Sequence, residues 1–469
     1  MDSNVKKNRT FKVPHLLNII FVLIILASIL TYIVPAGTYE QNADGTFDPS
    51  SYHQIEQTPV SLWQTMVYIV PGMQEASQTI CLILFTGGCM GYIIATESIT
   101  KIINYCVYRL QDKGITIMIP CIMFMMSLLS AFGGNDSFVA FVAVGVIFAK
   151  KLRLDPIVAF ATFFLSQYVG FATGPNKIVL TAQMIADVPV YSGFGMRFAF
   201  LLLLTAITTL YTMRYAIRVS RDPSKSLMGS DAWLREIEEE ENSLPRGGKI
   251  REVQLDMVAV ISTLSMILSF VVAAYGATNW GWNSNYTVPC LFVNCIFTMI
   301  INRTSIDKFA RHFARGVTDI SLVCFIIGLA RVISYVMERG QILHTLVHWS
   351  TIPLGQVGKG AAVVIMFLMN LVIDFFIPSG QGQAAIVMPL MTPIADMLGI
   401  SRQVICSAFS LGDGLSNLVV PTLGILMGGL EMAKCPYNKW MKFMMPLLFI
   451  WIVVTSVWLV YVTSIGWMY

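Results

Sequence analysis

The stretch "SLLSAFGGNDSFVAF", residues 127–141, sets Gly133, Gly134, Asn135, Asp136 and Ser137 between two apolar runs. Its flanks, Ile115 to Phe132 and Phe138 to Ala149, are the arms of a pair. The outer ends of that pair carry Lys113 on one side and Lys150, Lys151 and Arg153 on the other. Lys and Arg favour the cytoplasmic side of a bilayer, so both ends belong on the same side. The economical solution is a re-entrant helical hairpin whose tip, Gly133 to Ser137, lies deep in the membrane. Irregular backbone at that depth survives only where protein or a water-filled cavity covers it.

Bulk composition places this stretch in a membrane protein. Of 469 residues, 55% are hydrophobic and 12% charged, against about 25% charged in soluble domains. Apolar runs of about 20 residues recur, the length that spans a bilayer as a helix. The net charge of +4 is spread over loops with no stripe for nucleic acid, and the nine cysteines include no CxxC pair. That fits neither a disulfide framework nor a zinc site. With no nucleotide-binding motif either, we expect no enzymatic activity, no cofactor and no nucleic-acid partner. The run Leu16 to Ile33 is too long for a signal-peptide core and reads as a retained first span.

Charge orients the chain. Lys6, Lys7, Arg9 and Lys12 precede the first span, and Gly37 to Val60 holds Glu40, Asp44, Asp48 and Glu56 with no Lys or Arg. The N-terminus is therefore expected in the cytoplasm and the C-terminus outside. Residues 76–96 return inward, and Lys101 to Lys113 lies along the inner interface as an amphipathic piece. After the hairpin, Pro156 to Asp187 crosses outward, broken at Thr173-Gly174-Pro175-Asn176, and Phe194 to Val219 returns. Arg214 to Arg251 is a polar linker with eight Lys or Arg and the run "EIEEEEN", expected as a solvated face. Leu255 to Tyr275, Val288 to Ile301 and Val317 to Met337 cross next, followed by an external amphipathic piece, Arg339 to Trp349. A second hairpin, Val363 to Leu398, has the tip "PSGQGQ"; Val404 to Lys434 is broken at Val420-Pro421-Thr422, and Phe443 to Val462 ends outside. The fold expected is an all-α polytopic membrane protein with about nine full spans and two re-entrant hairpins.

An internal repeat ties the two hairpins together. A shift of 246 residues lays Gly134 on Gly380, Leu152 on Leu398, Val158 on Val404 and Pro175 on Pro421, with 41 residues from tip glycine to break proline in both units. The units enter from opposite sides, because the helix at residues 255–275 flips the second one. The first unit covers residues 1–219, with scaffold helices in 14–110, hairpin and broken helix in 115–188 and a helix in 193–219. The linker is 220–254 and the connecting helix 255–275. The second unit covers 284–469, with scaffold in 284–350, hairpin and broken helix in 357–435 and a helix in 439–463. An inverted pair with broken helices meeting at mid-membrane is a secondary-transporter pattern.

Half-helix ends leave backbone N–H and C=O groups unpaired. Two tips and two breaks would bring such ends together around a solute. The candidate substrate-binding residues are Asn135, Asp136, Ser137, Thr173, Gly174, Asn176, Lys177, Ser379, Gly380, Gln381, Gln383, Asp413, Asn417 and Thr422. Asn135, Asp136, Gln381 and Asp413 are also candidates for a coupling Na+ or H+. Intramembrane ionisable residues cost about 2.5–3.5 kcal/mol each, which marks Asp136, Asp374, Asp413 and Lys177. Three carboxylates against one ammonium suit a cation in the site, either a coupling ion or a basic side chain of the substrate, while Lys177 suits a substrate carboxylate, which a dicarboxylate would place on Lys177 and the helix N-termini. The structural alternatives are an N-cap at Asn135 to Ser137, a helix-to-helix hydrogen bond at Asp374, and snorkelling of Lys177. His344 and His348 read as the wet side of an interfacial helix, and Asn285-Tyr286-Thr287 matches a glycosylation sequon.

At "GLARVISYVMERGQI", "IPSGQGQAAIVMPLMTPIADMLGISRQ" and "FSLGDGLSNLVVPTLGILMGGL" the sequence resembles the YfcC-like proteins of the anaerobic four-carbon-dicarboxylate carrier family, in the broad ion-transporter superfamily. The resemblance runs nearly end to end. It implies an elevator-type carrier, usually a homodimer, with a scaffold and a moving transport domain, and with Asn135 to Ser137 and Ser379 to Gln383 as binding loops. Members include dicarboxylate carriers and arginine/ornithine exchangers. Sodium-dicarboxylate relatives carry Ser-Asn-Thr at such tips, where this chain has Asn-Asp-Ser and Ser-Gly-Gln.

The function expected is secondary active transport across a bacterial inner membrane, among membrane lipid, by alternating access. Residues 115–187 and 363–434 would carry the solute, and spans at 16–35, 76–96, 288–301 and 317–337 would form the scaffold and dimer contact. The carboxylate count favours a basic amino acid such as arginine or ornithine over a four-carbon dicarboxylate. Rivals from other classes are a passive channel and an intramembrane aspartyl protease built on Asp374 and Asp413.

Overall fold

The computed structural model describes residues 16–40, 51–102, 105, 114–133, 139–189, 192–229, 232–243, 256–282, 284–352, 354 and 357–468. The tip residues Gly134, Asn135, Asp136 and Ser137 and most of Lys101 to Lys113 lie outside them.

The apolar runs are helices, because backbone groups away from water need partners within their own segment. Helix α1 (Leu16–Ile33) leads into two short antiparallel strands, β1 (Gly37–Thr38) and β2 (His53–Gln54), with Gly37 opposite Gln54. Helices α2 (Leu62–Val67), α3 (Ile69–Glu75) and α4 (Ser77–Ala95) follow. Next come the arms α5 (Gly114–Gly133) and α6 (Phe141–Lys151). The broken helix is α7 (Pro156–Phe160), a π turn at Ala161–Leu165, α8 (Ser166–Thr173) and, past the break, α9 (Lys177–Ile185). Then follow α10 (Phe194–Arg221), α11 (Ala232–Ser243), α12 (Met257–Asn279), α13 (Thr287–Ile301), α14 (Ile306–Arg339) and α15 (Leu343–Thr351). The second set of arms is α16 (Lys359–Ile373) and α17 (Gly380–Leu398), the second broken helix α18 (Arg402–Ser416) and α19 (Gly424–Met432), and the last helix α20 (Tyr437–Ser464). Among the described residues six helical segments are long and apolar enough to span a bilayer, with four shorter apolar helices beside them.

Two boundaries differ from the sequence expectation. Helix α14 begins at Ile306 rather than Val317, because Ser305 caps it by accepting from Lys308 N. The linker is also more than a solvated face. Helix α11 buries Trp233 and Ile237. Its Glu236 Oε1 accepts from Lys434 Nζ at 2.8 Å and Lys150 Nζ at 3.4 Å.

The positions related by the 246-residue shift can be compared in the structure. Asp155 and Ser401, 246 residues apart, stand at the N-terminal ends of α7 and α18, and of the two only Asp155 caps its helix with its side chain. The outer ends of each arm pair meet: Gly114 faces Leu152, and Lys359 Nζ donates to Gly399 O at 3.0 Å. Arg402, beside the open end of α16 and α17, donates to Ala186 O past the end of α9 at 2.9 Å. Lys150, at the open end of α5 and α6, shares Glu236 with Lys434 beyond α19.

The core lies along the broken helices. The best apolar window within residues 156–185 is fully buried, whereas those of α10 and α20 are 39% buried. Close approach there needs glycine: a Cβ at Gly170 would sit 1.9 Å from Ser127 O on α5, and one at Gly414 would sit 2.4 Å from Ala172 Cβ. Helix α14 packs on α4 at Gly91 and Gly316 and on α19 where Gly424 meets Ile327, so it joins the flanking helices to the central block.

Candidate functional site

The break in each long helix comes from sequence. Pro175 and Pro421 cannot donate a backbone hydrogen bond to the preceding turn. Past the first break, Asn176 caps α9: its Oδ1 accepts from Ile178 N at 3.1 Å and its Nδ2 donates to Phe171 O at 2.5 Å. Past the second, Thr422 Oγ1 donates to Phe375 O at 2.8 Å and ties the break to the turn between α16 and α17.

That turn reaches both broken helices at Gly380. A Cβ there would lie 2.4 Å from Ile178 Cδ1 on α9, and 3.0 and 3.1 Å from the two carboxylate oxygens of Asp413 on α18. The absence of a side chain lets the first turn of α17 sit directly against a carboxylate, at a helix N-terminus where negative charge is favoured. Ser379 caps the same end, accepting from Gly382 N at 3.4 Å.

Asp413 has a partner in kind. Asp374, just after α16, lies within hydrogen-bonding reach of it, and both are 0% exposed. Ser416 Oγ donates to Asp374 Oδ2 at 2.7 Å. Both oxygens of Asp413 and Oδ1 of Asp374 are buried without a donor among the described residues. Two carboxylates this close cannot both ionise unless a proton or a cation sits between them. Buried charge without a counter-group is costly. A proton or a positively charged group between them would relieve both costs.

Of the residues expected in the site, Thr173, Gly174, Asn176, Gly380, Asp413, Asn417 and Thr422 lie at the breaks or the second tip, and all of these but Gly380 are buried. Gln381 is exposed at that tip. Gln383 turns into the arm pair, donating to Asn370 O at 3.1 Å and Asn370 Oδ1 at 3.0 Å. Lys177 opens α9, with its side chain outside the described residues, as are Asn135, Asp136 and Ser137. Sequence reasoning missed Arg197. It is 3% exposed on α10, donates from Nε to Thr173 O at 3.2 Å, and from Nη2 to Ser410 Oγ at 2.6 Å. The signal available was a lone arginine in the apolar run "GFGMRFAFLLLL". It went unused because a cation near a helix start reads as interfacial.

Against known proteins, residues 13–464 match the family described as C4-dicarboxylate anaerobic carrier. The chain belongs to that family. It is a membrane transporter and not an enzyme, as its sequence implied. A relative from Escherichia coli (strain K12), named "Putative basic amino acid antiporter YfcC", is 27% identical, with 96% of each chain covered. An uncharacterised Haemophilus influenzae protein is 26% identical over 99% of each chain. Two solved structures are similar at low TM-score. The YdaH transporter of Alcanivorax borkumensis has TM-score 0.48 and 15% identity, covering 97% of this chain and 99% of that one. MtrF of Neisseria gonorrhoeae, described with a class of antimetabolite efflux pumps, has TM-score 0.47 and 14% identity, covering 97% and 96%.

Proposed function

We propose that this transporter is a secondary active carrier of a basic amino acid, such as arginine or ornithine, working as an exchanger. The observation that carries the reading is the Asp374–Asp413 pair, buried beside the tip glycine Gly380 with three oxygens lacking a donor among the described residues. A guanidinium or ammonium group supplies the missing donors, and a cation between two carboxylates removes their repulsion. In exchange for a second basic amino acid the site is never left empty of positive charge. In its absence a proton, or Na+, serves as the coupling ion.

The transport cycle we propose is of elevator type. The two arm pairs are re-entrant hairpins, nine helices cross the membrane, and the block of residues 115–187 and 363–434 moves against a scaffold that includes α1, α4, α13 and α14. The carrier is a homodimer in a bacterial inner membrane, N-terminus inside and C-terminus outside. Asn135 to Ser137 at the first tip, and Ser379, Gln381, Asn417 and Thr422 around the second, complete the solute and ion contacts.

The family description favours a second reading, a four-carbon dicarboxylate carrier, in which the aspartates serve protons or sodium alone. Proteoliposomes separate the two. Labelled arginine should enter vesicles loaded with ornithine and not those loaded with succinate. Succinate exchange without arginine movement would reverse the choice.

A further inference from the structure

Arg197, on α10, reaches both broken helices and leaves one nitrogen, Nη1, unused among the described residues. Its Nε and Nη2 join the carbonyl of Thr173, the last residue of α8, to Ser410 on α18. Its Nη1 is buried and has no hydrogen-bond partner among the described residues. Ser410 and Asp413 are three residues apart on α18, so they are neighbours on one helix face. The Arg197 guanidinium is therefore anchored at Ser410, one helical turn along α18 from Asp413, a carboxylate that lacks a donor among the described residues. A mere strut between Thr173 and Ser410 needs two donors and no buried charge, and leaves Nη1 unexplained.

We infer that Arg197 receives the carboxylate of the solute while the Asp374–Asp413 pair receives its cationic group. The carrier then recognises an amino acid by both charges at once. The inference rests on the basic amino acid reading above and adds the residue that would reject amines without a carboxylate and dicarboxylates without a cation. A site that hydrogen-bonds a substrate group discriminates strongly against an analogue lacking it, because its own buried group is then left unpaired.

The test uses the full chain purified in detergent, with affinities for arginine, its decarboxylated analogue agmatine, and succinate measured by ligand-dependent thermal stabilisation. Wild type should prefer arginine to agmatine by about 100-fold or more. Arg197→Gln should bring arginine down to the agmatine level and leave agmatine within about threefold of wild type. Agmatine binding itself reports that the variant is folded. If Arg197→Gln does not fold, Arg197→Lys, which keeps the charge and loses the planar fork, should cut the preference by about tenfold or more. A variant that keeps the full preference, or a wild type that binds agmatine as tightly as arginine, overturns the inference. A wild type that binds succinate and not arginine overturns the basic amino acid reading instead. The succinate affinity of Arg197→Gln then decides separately whether Arg197 is the carboxylate anchor: a loss supports that role and no change removes it.

Discussion

The two units share a skeleton and divide its chemistry. At the start of the first broken helix Asp155 accepts from Val158 N at 3.0 Å, Tyr215 Oη at 2.5 Å and Ser226 Oγ at 2.6 Å. Its counterpart Ser401 makes no side-chain cap. Halfway along, the order reverses. Under the shift of 246 residues Gln167 of the first unit stands where the second has Asp413, Phe164 where it has Ser410, and Gly170 where it has Ser416. Asp155 and Asp413 are equally buried, at 0% exposure. One is saturated with donors and holds the linker to the bundle, and the other has none among the described residues. Burial alone therefore does not set the two carboxylates apart; unmet hydrogen bonding does.

The sharpest way to break this contrast is to neutralise Asp413. Asp413→Asn should lower arginine–ornithine exchange by about 100-fold or more, since losing one side of a buried charge pair costs about 2–5 kcal/mol. The melting temperature should hold. Exchange at wild-type rate would return Asp413 to a structural role.

Asp155→Ala should do the opposite, destabilising the fold by about 2–4 kcal/mol through a lost cap and two stranded hydroxyls. Ser401→Ala should stay within about 0.5 kcal/mol. Thermal unfolding in detergent reads both, and equal losses would erase the asymmetry between the units.

Gly414→Val tests the packing between the two broken helices. The added side chain meets Ala172 and should cost about 1–3 kcal/mol. An unchanged melting temperature would mean that α8 and α18 are looser than this contact implies.

The smallest effect belongs to Glu236, outside the membrane helices. Its hydrogen bond to Lys434 first, then the charges of Lys150 and Lys434, hold its carboxyl below the ordinary value of 4.5 against the opposing effect of partial burial. A lowered value means the contact contributes fully above pH 4.5 and is lost as the pH falls further. Hydrogen exchange over residues 232–243, corrected for intrinsic rate, should speed up in acid for wild type and show no such step in Glu236→Gln. A step that survives the substitution would assign it to another group.

Much of this architecture is legible in the chain because its causes are local. The helix Leu16–Ile33, the helices flanking residue 134, and the breaks at Pro175 and Pro421 follow from apolar runs and from proline's missing donor. The repeat follows from spacing. Asp413 is legible as a candidate because a carboxylate in an apolar run is conspicuous in any sequence. That Gln383 spends its amide on Asn370, or that "EIEEEEN" contributes a bridge between Lys150 and Lys434, is not legible, since each depends on what a distant segment presents.

By itself, then, the sequence determined a helical membrane transporter with two polar interruptions in each half, because apolar length and helix-breaking residues act within a few turns of chain. Only the tertiary structure decided which polar groups meet. Asp374 and Asp413 are 39 residues apart in sequence, and Arg197 and Ser410 are 213 apart. Gly412 lets α18 close on α16 at Asn370, and Gly414 lets it close on α8 at Ala172. Whether a buried group is satisfied or left open is a property of that closure, and it is the property on which the proposed function turns.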